Sequence, residues 1–300
     1  MARLSSTSYR GRFAPSPSGP LHLGSFLTAL ASYLDARAHA GVWRVRIDDL
    51  DPHRARPGIA DRILYQLEAL GLYWDGAVVF QQGRTVLYQE GLDQLIKDGH
   101  IYGCRCSRAE IGQGLYSGCC RDRGLPVGAE GLSLRIRVAP EMISLVDRVH
   151  GHYHQRLDQS VGDFVLFRKD GVHAYHLATV LDDAELGITH VVRGSDLLES
   201  TPRQIYLQNL LALATPIYAH TPLLVDGDGR KLSKSQLPEE TTAAGAKATL
   251  LRLLALLGLV PPAEVKQSAR DEILTWAQLN WEMERLKGPH QIEVQYSEVN

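Results

Sequence analysis

Short apolar runs alternate with longer stretches of helical periodicity over the first hundred residues. The pattern predicts strands at 9–14 and 43–47 and helices at 26–40, 58–70 and 85–98. Strands that alternate with helices in this way are typical of βαβ units, in which consecutive strands run parallel. The pattern therefore predicts an α/β fold, with a parallel sheet and helices on both of its faces.

The rhythm is interrupted between residues 101 and 130, where apolar periodicity is weak and Gly, Cys and Arg are frequent. Such a stretch indicates an inserted loop or a small metal-binding unit. The pattern then returns and predicts strands at 133–138, 164–168 and 188–193, and helices at 175–182, 202–214, 241–257 and 271–286. Thr201 is the expected N-cap of the helix that Pro202 opens.

Composition indicates a soluble globular chain, with 44% hydrophobic residues and a formal charge of −2. No apolar run approaches the roughly 20 residues that span a bilayer. The N-terminus lacks the charged-then-apolar layout of a secretory signal, so we expect a cytoplasmic protein. Because the net charge is small, a nucleic-acid partner would have to be held by local arginine patches.

Two separated segments suggest nucleotide chemistry. Residues 15–25 read Pro-Ser-Pro-Ser-Gly-Pro-Leu-His-Leu-Gly-Ser, between the first strand and the first helix. His22 and Gly24 are therefore expected at a helix N-terminus, where free N–H groups and the helix dipole attract phosphate, and where glycine admits close backbone approach. Residues 231–235 read Lys-Leu-Ser-Lys-Ser, in a chain with only seven lysines. Alone, this second segment is explained equally well as a solvated basic loop; with the first, it indicates phosphoryl chemistry.

All four cysteines fall between Cys104 and Cys120. A disulfide framework would spread them along the chain, so their clustering favours a metal. Thiolates suit Zn²⁺, and four ligands close a tetrahedral structural site. A site of four cysteines that uses Cys119 is one alternative, and buried cysteines without a metal are another. His150, His152 and His154 alternate and would share one face of a strand, where they could in principle bind a metal. No carboxylate or cysteine follows at a suitable spacing, so we favour a solvated strand face.

In their order along the chain, segments 15–25 and 231–235 resemble the two ATP-binding signatures of class I aminoacyl-tRNA synthetases. Further segments resemble glutamyl-tRNA synthetases: Gly-Arg-Phe-Ala-Pro-Ser-Pro at 11–17, Arg-Ile-Asp-Asp-Leu-Asp at 46–51, Tyr-His-Leu-Ala at 175–178, Asp-Asp at 182–183 and Gly-Ile-Thr-His-Val-Val-Arg-Gly-Ser-Asp at 187–196. The similarity covers residues 9–236 and ends where those enzymes continue with an anticodon-binding domain. That truncation and a Cys-x-Cys…Tyr-x-x-x-Cys pattern resemble the glutamyl-queuosine tRNA(Asp) synthetase family.

The resemblance implies a Rossmann-like, doubly wound parallel sheet with a zinc-binding insertion, a short helical C-terminal region and no anticodon-binding domain. We accordingly divide the chain into the first half of the catalytic domain (1–100), an inserted segment with the zinc site (101–175), the second half with the lysine loop (176–240) and the C-terminal region (241–300). We expect a monomer that has no contact with membranes.

The family activates L-glutamate with ATP and Mg²⁺ in the absence of tRNA, then transfers it to queuosine at the wobble position of tRNA(Asp). The expected partners are therefore L-glutamate, ATP and the anticodon stem-loop that carries queuosine. One alternative is a truncated glutamyl-tRNA synthetase that charges the 3′ end of tRNA. Another is a non-catalytic tRNA-binding paralogue, against which His22 and Lys234 argue because a binding module needs no ATP chemistry.

The resemblance also implies roles for single residues. Glutamate would be bound by Arg12, Ala14, Ser16, Asp48, Tyr175 and Arg193. ATP would be bound by His22, Gly24, Lys231 and Lys234, with His22 and Lys234 catalytic through their charge on the phosphates. The zinc ligands would be Cys104, Cys106, Tyr116 and Cys120, because the family places Tyr four residues before its last Cys.

The side-chain chemistry of Arg12, Arg193 and Asp48 bears on their assigned roles. The guanidinium forks of Arg12 and Arg193 match a carboxylate, although a structural ion pair inside the sheet explains them too. Asp48 departs from the family, which usually has Glu there to bind the α-amino group of the substrate. Since Asp is one methylene shorter, a direct contact could become water-mediated.

Overall fold

The computed structural model describes residues 8–112, 115–230, 245–288 and 291–294. The strands are β1 (Arg10–Phe13), β2 (Val42–Ile47), β3 (Val79–Phe80), β4 (Ile101–Cys104), β5 (Ser133–Ile136), β6 (Met142–Asp147), β7 (Gly151–Arg156), β8 (Val165–Phe167), β9 (His190–Gly194), β10 (Ile217–Thr221), β11 (Leu223–Val225) and β12 (Gln291–Glu293). The helices are α1 (Leu23–Ala38), α2 (Ile59–Ala69), α3 (Thr85–Lys97), α4 (Arg108–Ile111), α5 (Leu157–Ser160), α6 (Tyr175–Glu185), α7 (Thr201–Leu210), α8 (Ala246–Leu256), α9 (Ala263–Gln267) and α10 (Arg270–Leu279). Within the described ranges, no helix combines the length and the apolar character that crossing a membrane requires.

Parallel strands form the part of the fold that carries the sequence motifs. β2 pairs in parallel with β1 and β3, and β9 pairs in parallel with β10. The two groups meet where Thr189 donates its backbone N–H to the carbonyl oxygen of Arg10, at 2.9 Å. α1 and α2 are the crossovers between β1, β2 and β3, as parallel pairing requires. The predicted α/β fold with parallel strands is confirmed.

Segment 101–175 instead contains antiparallel strands, in a β4–β5–β8 sheet and a β6–β7 hairpin. The sequence pattern indicated an inserted loop or a small metal-binding unit at 101–130 and predicted no strand there, whereas β4 opens this stretch. β4 is buried at all four positions, so it lacks the alternation that marks a half-exposed strand. Apolar residues of β5, such as Leu134 and Ile136, share a core with Leu92 of α3 and Leu177 of α6.

The C-terminal helices pack against α1. Leu250 of α8 and Ile273 of α10 belong to the same core as Leu27. The helix predicted at 271–286 is too long: α10 ends at Leu279, and a separate 3-10 helix spans Met283–Leu286. Between them, the indole of Trp281 donates to the buried carboxylate of Asp35 at 3.1 Å. The chain leaves the helix at 280–282, and Trp281 makes its contact with Asp35 from this break.

Candidate active site

A cavity of about 440 Å³ opens at the carboxyl ends of β1, β2 and β9. Ligands of open parallel sheets bind at this edge. The cavity is lined by eight residues to which the sequence assigned glutamate or ATP binding: Arg12, Ala14, Ser16, His22, Gly24, Asp48, Tyr175 and Arg193. The other two, Lys231 and Lys234, lie outside the described residues. Five of the sequence segments named above (11–17, 15–25, 46–51, 175–178 and 187–196) thus contribute residues to one site, although the individual roles of these residues remain predictions.

The N-terminus of α1 forms one wall of the cavity. The helix begins at Leu23, three residues earlier than the sequence pattern predicted. His22 is its N-cap, and the imidazole Nδ1 accepts a hydrogen bond from the backbone N–H of Ser25 at 3.3 Å. An accepting Nδ1 leaves the proton of a neutral imidazole on Nε2. A Cβ on Gly24 would lie 3.3 Å from the His22 ring. Gly24 therefore makes room for the imidazole, a reason that the sequence alone did not reveal.

A chain of buried charged side chains forms another part of the cavity wall. Arg12 donates from Nε and Nη2 to the two oxygens of Asp183, each at 3.1 Å. Arg46 donates from Nη1 to Asp183 at 2.7 Å and from Nε to Asp48 at 2.6 Å. All four side chains are buried. The structural ion pair considered for Arg12 is thus present, and Arg12 also lines the cavity.

The two carboxylates of this chain differ in how well their charge is compensated. Burial raises the pKa of Asp48 above its usual range, and the opposing effect of Arg46 does not cancel it. Burial acts in the same direction on Asp183, but Arg12 and Arg46 outweigh it and hold the pKa of Asp183 below its usual range. Asp48 is therefore the carboxylate that gains most from a further cation in the cavity.

Arg193 lies at the end of β9 with its guanidinium buried in the cavity wall. Nε lies 3.1 Å from Nε2 of His220, and Nη2 donates to the hydroxyl of Thr201 at 2.8 Å. Among the residues that the structure describes, Nη1 has no hydrogen-bond partner. A buried donor without a partner is costly, and a carboxylate ligand would satisfy it.

The prediction that Thr201 is the N-cap of α7 is wrong. Thr201 is the first residue of the helix, and Ser200 occupies the cap position. The hydroxyl of Thr201 accepts from Arg193 and lies 3.3 Å from the carbonyl oxygen of Leu197. These contacts engage the oxygen that would otherwise cap the helix.

The remaining predicted residues lie at the rim. Tyr175 is the first residue of α6 and is 38% exposed, and Ser16 is exposed as well. Arg54 and Asp196 also line the cavity and were given no role from the sequence. Asp196 is the last residue of segment 187–196 and Arg54 lies three residues after segment 46–51, so their proximity to these segments was a usable signal.

The cysteines converge at the end of β4. The sulfur atoms of Cys104, Cys106 and Cys120 all lie within 4.8 Å of one another. Cys106 and Cys120 are 3.5 Å apart, close to the value of about 3.8 Å for two thiolates that bind one tetrahedral zinc at about 2.3 Å. All four cysteines are free thiols. The donor set is therefore compatible with zinc.

Tyr116 and Cys119 compete for the fourth position. The Tyr116 hydroxyl is 3.3 Å from the sulfur of Cys104 and accepts the backbone N–H of Cys120 at 3.1 Å. Burial and the hydrogen bond with Cys104 raise the pKa of Tyr116, so a metal would be needed to form the phenolate. Cys119 is exposed, but its sulfur is 3.1 Å from that of Cys106.

Comparisons with known proteins agree with this geometry. Residues 8–116 and 128–293 match the family of class I tRNA synthetases (E and Q), catalytic domain. A glutamyl-Q tRNA(Asp) synthetase of Thiobacillus denitrificans is 50% identical over 284 residues, which are 92% of this chain and 94% of that protein. One from Chromobacterium violaceum is 47% identical over 298 residues, 96% of this chain and 99% of that protein.

A solved structure has the same fold. The crystal structure of a glutamate tRNA ligase from Elizabethkingia meningosepticum, in complex with its amino acid, matches with a TM-score of 0.79 and 26% identity. The match covers 95% of this chain and 67% of that one. With its cavity at the carboxyl ends of parallel strands and its two sequence signatures, the chain belongs to the class I tRNA synthetase family for glutamate and glutamine, among the glutamyl-Q tRNA(Asp) synthetases.

Proposed function

We propose that this chain activates L-glutamate with ATP in the absence of tRNA and transfers the glutamyl group to queuosine at the wobble position of tRNA(Asp). The observation that carries the proposal is the joint placement of Arg193, Asp48 and His22 in the wall of one cavity. The relatives support the choice of acceptor, since nearly their whole length matches this chain and they are named for that reaction.

Glutamate supplies one ammonium and two carboxylate groups, and the cavity offers complementary charges. Arg193 has an N–H group without a partner in the described structure, which supports binding of a carboxylate. Asp48 carries an incompletely compensated charge, which supports binding of the ammonium group. Arg12 adds positive potential to the same wall, although Asp183 engages two of its nitrogens. Ala14, Ser16 and Tyr175 would complete the amino-acid site.

In the first reaction a carboxylate oxygen of glutamate attacks the α-phosphorus of ATP, and the bond to pyrophosphate breaks. The chain needs no nucleophile of its own for this step. His22 and the backbone N–H groups at the start of α1 would stabilise negative charge on the phosphates, with Gly24, Lys231 and Lys234 as further ATP contacts. Mg²⁺ bound with ATP would neutralise part of the phosphate charge.

The second reaction distinguishes two candidate acceptors. An ordinary glutamyl-tRNA synthetase esterifies the 3′-terminal ribose, whereas the proposed acceptor is the cyclopentene ring of queuosine in the anticodon loop. The structural neighbour named as a glutamate tRNA ligase is 26% identical, against 50% for the glutamyl-Q tRNA(Asp) synthetase of Thiobacillus denitrificans. The higher identity over nearly full length favours queuosine.

We also propose that the catalytic domain is a doubly wound, Rossmann-like sheet, and that segment 101–175 is its insertion with one structural Zn²⁺. Cys104, Cys106, Tyr116 and Cys120 would hold the metal, which would tie β4 to the loop before β5. The close approach of the Cys106 and Cys120 sulfurs supports this site. The division into four segments, the monomeric state and the cytoplasmic location, where tRNA and ATP are found, belong to the same proposal.

The exchange of labelled pyrophosphate into ATP tests the activation step. Exchange should require L-glutamate, proceed without tRNA and remain at background with L-glutamine, which lacks the second carboxylate. A strict requirement for tRNA would contradict the proposal and favour the ordinary synthetase.

A further inference from the structure

Asp147 is a wholly buried carboxylate that lies behind Arg193, a residue in the wall of the cavity. Asp147 ends β6, and one of its oxygens accepts the backbone N–H groups of Val149 and His150, both at 3.0 Å, and of His220 at 3.2 Å. The other oxygen lies 2.6 Å from Nδ1 of His220. Neither Asp147 nor His220 has an exposed side chain. Every oxygen of this carboxylate is therefore engaged by the protein.

His220 connects this carboxylate to the substrate cavity. It lies on β10 in parallel register with Arg193 on β9, so the two side chains stand on the same face of the sheet. Nε2 of His220 lies 3.1 Å from Nε of Arg193. A guanidinium can only donate, so Nε2 must accept, and the proton of the neutral ring must be on Nδ1, which donates to Asp147. Asp147 thus selects the His220 tautomer that can receive Arg193.

The surroundings keep His220 neutral. Burial lowers its pKa to about 4; repulsion by Arg193 acts in the same direction, and the hydrogen bond with Asp147 opposes both. Near neutral pH the ring therefore retains its accepting lone pair. Protonation would place two donors opposite each other at Nε2.

Arg193 is consequently held by two of its three nitrogens. His220 receives Nε, Thr201 receives Nη2, and the ring of Tyr218 lies against the guanidinium with its centroid at 5.3 Å. Nη1 is the nitrogen of Arg193 that has no partner among the described residues. Since a guanidinium is planar, fixing two nitrogens also fixes the direction of the third.

We propose that Asp147 and His220 are positioning residues of the amino-acid site, which hold Arg193 so that Nη1 meets a carboxylate of L-glutamate. Neither residue touches the substrate. The inference rests on the proposed function, because it needs L-glutamate to be the ligand of the cavity.

Two substitutions, Asp147→Asn and His220→Met, should release Arg193 from this orientation with little change in side-chain size. Asp147→Asn places an amide NH₂ opposite Nδ1, because the other position must still accept three backbone N–H groups. The ring must then carry its proton on Nε2, where it opposes the Nε–H of Arg193. His220→Met removes the acceptor, whereas His220→Gln restores an oxygen near the position of Nε2. His154→Gln is the matched control, because His154 is exposed on the β6–β7 hairpin that also carries Asp147.

The measurement is pyrophosphate exchange with separate KM values for L-glutamate and ATP. Loss of one charge-assisted contact should raise KM for L-glutamate about ten- to a hundredfold in Asp147→Asn and His220→Met, with kcat and KM for ATP near wild type. His220→Gln should recover part of the loss, and His154→Gln should match wild type. In an Arg193→Gln background, Asp147→Asn should add no further increase, because both changes act on the same contact.

An equal rise in the KM values for both substrates, an unchanged KM for glutamate, or full additivity with Arg193→Gln would overturn the positioning role. Where Asp147→Asn does not fold, the comparison of His220→Gln with His220→Met decides, and equal KM values for the two would overturn it. A wild-type protein that shows no glutamate-dependent exchange would instead refute the proposed function, and this inference with it.

Discussion

Asp48→Asn tests the charge complementarity of the amino-acid site most sharply. The substitution keeps the size of the side chain and removes the charge that would attract the ammonium group of the substrate. A hydrogen bond to a charged group is worth about 1.5–3 kcal/mol, which corresponds to roughly a ten- to hundredfold rise in KM for L-glutamate. Because the contact would exist in both the ground and the transition state, kcat should change little.

The substitution should also lower stability. Removal of one partner of a buried ion pair costs about 3–5 kcal/mol. Arg46 retains Asp183 at 2.7 Å and Asp182 at 3.5 Å, so we expect a smaller loss, about 1–3 kcal/mol. Urea unfolding at neutral pH measures this term, and pyrophosphate exchange at saturating ATP measures KM and kcat.

Asp158→Asn is a matched control for this prediction. Asp158 pairs with Arg156 at 2.7 Å with the same two-residue spacing as Asp48 and Arg46, but it is partly exposed and does not line the cavity. It should leave KM for glutamate at the wild-type value. Asp48→Glu keeps the charge and should be tolerated. A folded Asp48→Asn protein with a wild-type KM for glutamate would refute the assignment of the ammonium site to Asp48.

Three further predictions concern the zinc site, the ATP site and the stability of the fold. Purified protein should contain about one zinc per chain by elemental analysis, and Cys106→Ser should lose it while Cys119→Ser keeps it; the reverse would make Cys119 the ligand. Gly24→Ala places a methyl group 3.3 Å from the N-cap imidazole and should raise KM for ATP but not for glutamate in steady-state kinetics. Burial raises the pKa of Asp35, but hydrogen bonds, chiefly from Arg148, outweigh it and hold the pKa below its usual range. This carboxylate therefore stabilises the fold above about pH 4, and the contribution is lost as pH falls through the lower folded pKa. Asp35→Asn should cost about 3–5 kcal/mol in urea unfolding at pH 7 and reduce the acid dependence of stability.

Local pattern was sufficient for the longer elements in the first half of the fold, but it did not predict the two-residue strand β3. Each of β1, α1, β2, α2 and α3 carries its own apolar period, so its bounds could be predicted within about three residues. β4 could not be recognised because it is buried on both faces. The β6–β7 hairpin was missed because the exposed face of β6 carries the apolar residues Met142 and Val146, which weakens the alternation of apolar and polar positions. Packing against the rest of the protein, rather than a local period of apolar residues, determines that these segments form strands.

The site was predictable only at the level of single residues. Arg12 and Arg193 stand out because each lies in a strand within a recognisable motif. Their partners could not be inferred, since Asp183 is 171 residues from Arg12 and His220 is 27 residues from Arg193. Such contacts depend on strand order and register, which a single sequence does not specify.

The position of the glutamyl group on tRNA decides between queuosine and the 3′ end as the acceptor. The protein is incubated with ATP, radiolabelled L-glutamate and tRNA(Asp) that either contains or lacks queuosine, and the 3′-terminal adenosine is then removed. We expect label only on the tRNA that contains queuosine, and we expect this label to survive removal of the adenosine. Label that is released with the adenosine, or that appears equally on tRNA without queuosine, would refute transfer to queuosine.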